Sequence, residues 1–106
     1  MAWIYLFAAG LFEVVWAYFM KESEGFSRLA PSAVSITGMV ASVGLLAVAM
    51  RTIPLGTAYV VWTGIGAVGA FAVGIVAYGE STSTTRMIAA AMILSGLVVM
   101  KLSTSD

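Results

Sequence analysis

The sequence contains no cysteine and no histidine, has two prolines, and spends 9% of its 106 residues on charge. Each shortage closes a door. Without cysteine there is no disulfide framework and no thiolate ligand, and without histidine the commonest metal ligand is gone as well, so neither a metal site nor a cofactor is expected. Five basic and five acidic side chains cancel to a net charge of zero, which leaves no basic footprint for a nucleic acid. No Ser/His/Asp set or phosphate-binding glycine loop occurs, so an enzyme is not expected. A soluble domain of this length carries roughly a quarter of its residues as charges, because it has more surface than core. Here 61% of residues are hydrophobic, a balance suited to a lipid bilayer.

The few charges punctuate the chain. Ala2 to Met20 is apolar apart from Glu13 and ends at Lys21-Glu22-Ser23-Glu24-Gly25. Charge-free segments then run between Arg28 and Arg51, from Thr52 to Gly79, and between Arg86 and Lys101. A helix rises 1.5 Å per residue, so about 20 residues cross a hydrocarbon core of roughly 30 Å. The spacing predicts an all-α membrane protein: one domain over 1–106 with four transmembrane helices at about 2–21, 29–50, 57–78 and 85–102. No period-2 alternation supports a barrel. The apolar N-terminus lacks a basic leader and reads as a retained first helix rather than a signal peptide.

If the N-terminus is cytoplasmic, Arg51 and Lys101 lie inside and Lys21, Arg28 and Arg86 outside. A difference of one charge barely sets an orientation. Balanced loops suit dual topology, in which copies insert both ways and pair antiparallel, building from two chains the inverted repeat that larger transporters carry in one. Four helices alone enclose little, so a homodimer is the smallest unit expected to hold a polar pathway. Ala89 and Gly96, seven residues apart on the last helix, are the expected packing positions, since small residues let helices approach closely in lipid.

Glu13 is the residue that lipid should not tolerate. It lies mid-span and is too short to reach the interface, and a carboxylate buried there costs several kcal/mol (about 2.5–3.5 on insertion scales). A structural, hydrogen-bonded glutamate is the bland reading. The sharper one is a group that holds either a proton or a cation but not both, which is the physical core of proton/cation antiport. Gly10 and Trp16 lie three residues before and after Glu13 on the same face, one giving room and the other an aromatic surface for a cation. On the third helix Tyr59 and Trp62 form a second aromatic pair, and Gly64, Gly66 and Gly69 mark a segment expected to bend during alternating access. Ser35, Gly38 and Ser42 share a face of the second helix. A hydroxyl there can reach Glu13 or its own i−4 carbonyl.

These residues resemble the small multidrug resistance family. The stretches Gly10-Leu11-Phe12-Glu13-Val14-Val15-Trp16-Ala17, Gly25-Phe26-Ser27-Arg28-Leu29-Ala30-Pro31-Ser32 and Pro54 to Gly69 look like its guanidinium-exporter subtype, and the likeness covers essentially the whole chain. The resemblance implies an antiparallel, dual-topology homodimer in the inner (cytoplasmic) membrane that exports guanidinium ion in exchange for protons. Glu13 would be the shared proton and substrate site, lined by Gly10, Trp16, Ser42, Tyr59 and Trp62. Val60, where a smaller alanine is expected, and Gly44 on the second helix depart from the pattern. The alternatives from the residues alone are a promiscuous exporter of quaternary ammonium or substituted guanidinium cations, and a non-transporting membrane subunit.

Overall fold

The computed structural model describes residues 1–103; the last three positions of the unit expected over 1–106 lie outside the described residues. Four helices follow in order: α1 (Ala2–Glu22), α2 (Leu29–Ala49), α3 (Leu55–Tyr78) and α4 (Thr84–Ser103). All four are long and apolar enough to cross a membrane. α3 begins two residues earlier than the spacing predicts. Pro54 occupies its N-cap with φ −56°, and the Pro54 carbonyl accepts from the Ala58 amide at 2.9 Å, so the first turn closes at once.

The turns are short and locally satisfied. Between α1 and α2, the buried Ser23 hydroxyl donates to the Met20 carbonyl (2.6 Å) and accepts from the Phe26 amide (2.9 Å). That folds Glu24, Gly25 and Phe26 into three successive left-handed residues. α3 ends at Gly79 (φ 63°), whose amide returns to the Ile75 carbonyl while Glu80 returns to that of Gly74. This is the left-handed glycine cap that satisfies a helix's last carbonyls.

α1 packs most extensively on α2 and next on α3; α4 packs its backbone against α3 alone and buries no residue. The buried face of α2 runs through Ser32, Ser35, Gly38, Ser42, Leu46 and Ala49, small enough for α1 to come close. Leu6, Ala9, Leu46, Ala49, Ile53, Ala58 and Val61 form the apolar core, at the end where α1 begins and α2 meets α3. The protomer measures 43 × 34 × 17 Å. Its short dimension is less than two helix diameters of roughly 10 Å, so it is a slab of helices rather than a closed bundle.

Candidate functional site

Two serine hydrogen bonds fix how α1 lies against α2. Ser35 Oγ donates to the Trp16 carbonyl (2.8 Å), and Ser42 Oγ donates to the Ala9 carbonyl (2.6 Å). The donors are seven residues apart on α2 and the acceptors seven apart on α1. The helices are therefore antiparallel in a register that brings Gly38 level with Glu13. At that level α1 needs a glycine across from it: a Cβ on Gly38 would meet Trp16 Cβ at 3.1 Å.

Neither serine bonds Glu13 or its own helix. Both hydroxyls cross to α1 carbonyls, a third outcome beside the two that the sequence leaves open. Ser42 does more: its oxygen also accepts from Trp62 Nε1 at 3.0 Å. One buried hydroxyl thus joins α1, α2 and α3, and leaves the Trp62 ring held edge-on by its nitrogen. Tyr59, one turn earlier on α3, packs its ring 5.5 Å from that of Trp62 at 51°. Tyr59 is 53% exposed and faces outward from the protomer, whereas Trp62 is half-buried against the core.

Glu13 turns toward α3. Its carboxylate occupies the space that a side chain on Gly66 would fill. Oε1 is shielded yet has no hydrogen-bond partner among the described residues, and the same is true of Trp16 Nε1 one turn away. An acceptor and a donor one helical turn apart are thus both unpaired at mid-helix. Unpaired buried polar groups cost roughly 1–3 kcal/mol each, so such a pair points to something that completes it.

Gly10, the glycine expected to leave room beside Glu13, faces Ile65 of α3. A Cβ there would lie 2.6 Å from Ile65 Cγ2, so Gly10 instead sets how closely α1 meets α3. Gly64 receives Leu97 of α4 and Gly69 receives Val14 of α1. With Gly66 under Glu13, the three glycines expected to mark a bend each admit a side chain from a neighbouring helix, and α3 is one unbroken helix through them. Gly66 is expected from the sequence as part of a bending, small-residue segment below Tyr59 and Trp62, but not as the seat of Glu13; helical spacing cannot say which glycine faces the carboxylate. Ala89 and Gly96 lie on exposed faces of α4, and Gly96 has open space where its Cβ would be.

The sequence profile described as Small Multidrug Resistance protein matches residues 1–93. A protein named guanidinium exporter from Escherichia coli (strain K12) is 55% identical over 104 residues, covering 98% of this chain and 99% of that one. Proteins of the same name from Shigella flexneri and Citrobacter freundii are 55% and 53% identical with the same coverage.

Proposed function

Because the chain belongs to the small multidrug resistance family, we propose that it is a transporter, not an enzyme, that exports guanidinium ion across the cytoplasmic membrane in exchange for protons. The observation that carries this reading is the shielded, unpartnered Glu13 oxygen in the middle of a membrane helix. Guanidinium is planar and presents paired N–H donors that match a carboxylate, as an arginine head does. A proton satisfies the same oxygens. Guanidinium keeps its charge in water, so exchange requires a site that trades one cation for the other, and a single carboxylate does so by exclusion. The relatives' shared name supports guanidinium as the cation.

Gly66 seats the carboxylate, Trp16 supplies a neighbouring aromatic face, and Ser42 anchors Trp62, with Tyr59 stacked beside it, at the edge of the site. Gly64, Gly66 and Gly69 also leave α3 able to bend as access alternates. A slab 17 Å thick cannot surround a polar path. A second copy is needed, and the near-balanced loop charges favour an antiparallel homodimer with two Glu13 carboxylates around one site. Ala89 and Gly96 of α4 would form the contact between copies.

The test is transport in proteoliposomes under an imposed pH gradient. Guanidinium movement coupled to proton flux is expected, and it should vanish in Glu13→Gln while the protein still inserts and pairs. Full activity in Glu13→Gln would sink the mechanism. Strong tetraalkylammonium transport with none for guanidinium would instead identify a promiscuous cation exporter, and no transport of either a supporting subunit.

A further inference from the structure

We propose that the groove between α1, α3 and α4 is a binding site for one acyl chain of an anionic phospholipid, whose phosphate is held by Lys101. The groove has a volume of about 710 Å³ and an almost wholly apolar wall, including Phe7, Leu11 and Val14 of α1, Ile65 of α3 and Leu97 of α4. It lies on a different side of α1 from the α2 interface and does not include Glu13.

Three features select the occupant. The first is length. The groove runs along α1 from Trp3 to Val14. At 1.5 Å per residue that is about 16 Å, close to half of a roughly 30 Å hydrocarbon core, so it spans one leaflet from interface to midplane. The second is charge. Lys101 lines the outer end, with Nζ 4.6 Å from the centroid of the Trp3 ring, and it makes no ion pair among the described residues. A cation and an indole at the mouth of an apolar groove match a phosphate and its glycerol at the interface. Arg86, stacked on Phe71 beside a smaller groove of about 240 Å³ at the opposite end of α4, differs in having its charge met by Glu80 at 3.4 Å.

The third is position. At 100° per residue, Leu94, Leu97 and Lys101 fall within an arc of about 60° on α4, whereas Ala89 and Gly96 point roughly 100° or more away from that arc's centre. Pairing of two copies through Ala89 and Gly96 therefore leaves the groove open to lipid.

Native mass spectrometry of the full-length protein, with equal amounts of phosphatidylglycerol and phosphatidylcholine added, tests this assignment. The wild-type dimer should retain phosphatidylglycerol over phosphatidylcholine by about fivefold or more. Lys101→Gln should bring the ratio near one, Lys101→Arg should restore it, and Arg86→Gln should leave it unchanged. Ala8→Phe, which fills the groove wall, should reduce retention of both lipids. The dimer peak in the same spectra reports that each variant is folded and paired. The proposal is overturned if the wild type shows no preference, if the preference survives Lys101→Gln, or if Arg86→Gln abolishes it equally. It is also overturned if Ala8→Phe and Lys101→Gln release monomers with the lipid ratio intact, since the groove would then be covered by a second copy of the chain. None of these outcomes depends on guanidinium transport.

Discussion

The carboxylate of Glu13 rests where a side chain on Gly66 would be, so an acid on α1 and the absence of a side chain on α3 are two halves of one feature. Removing either should have related consequences. Gly66→Ala retains the charge but fills its seat, and a methyl group in a packed helix interface forces a neighbour to move. The displaced neighbour is the carboxylate. Guanidinium transport in proteoliposomes should fall by about tenfold or more, since misplacement by about 1 Å is enough to cost that much in a positioned site. Gly44→Ala, in open space on α2, should transport like the wild type. Equal activity in Gly66→Ala and the wild type would dissociate the glycine from the site.

The Ser42 hydroxyl is a three-helix junction, and its loss strands the Trp62 N–H. In Ser42→Ala the Ala9 carbonyl loses its side-chain donor and Trp62 Nε1 its acceptor. The orphaned indole N–H costs about 1–3 kcal/mol when buried, while the Ala9 carbonyl keeps its backbone bond within α1. Thermal unfolding of the detergent-solubilised protein should shift downward. Trp62→Phe in the Ser42→Ala background should cost less than it does in the wild type, because the indole N–H has already lost its partner. Strict additivity of the two substitutions would mean that the observed bond contributes nothing to stability.

Much of this arrangement is legible in the sequence because the bilayer writes in large letters. Four apolar segments set off by charges, one carboxylate inside the first, and a serine–glycine–serine face at helical spacing all survive without knowledge of the third dimension. What periodicity cannot carry is rotation and pairing. Ser35, Gly38 and Ser42 share a face in the sequence, but only the structure turns that face to the α1 carbonyls rather than to Glu13. Gly10 and Gly66 are equally small, yet one abuts Ile65 and the other the carboxylate. In lipid, any face of an apolar helix can serve as a contact, so hydrophobic patterning does not select one, and only shape does.

Orientation rests on a single charge, which makes it easy to tip. Lys21, Arg28 and Arg86 flank one end of the helices, and Arg51 and Lys101 the other. Reporter fusions to the wild-type C-terminus should signal from both sides of the membrane. Glu24→Lys with Thr82→Lys should drive the first end to the cytoplasm. Thr52→Lys and Leu55→Lys with Arg28→Ala should drive the second end there. Each biased variant alone should lose transport, and the two expressed together should regain it. Undiminished transport by either one alone would rule out an antiparallel pair.

α4 meets the rest of the protomer along one face, and its open face gives a clean handle on pairing. None of its residues is buried, and a side chain added at Gly96 meets nothing within its own chain. Gly96→Leu should therefore leave the protomer fold intact. If two copies approach through this face, the same leucine blocks them, because close packing of small residues is what holds helices together where lipid is as apolar as the side chains. Dyes on introduced cysteines, in a chain with none of its own, would report association by energy transfer between copies. A weakening of about tenfold is expected for Gly96→Leu, with a further loss on adding Ala89→Leu. Gly44→Leu makes the fair comparison, since it adds the same bulk to an equally open position on α2. Should the two glycine positions weaken pairing alike, bulk in the membrane rather than the α4 face would be responsible. If only Gly44→Leu weakens it, the contact between copies belongs to α2.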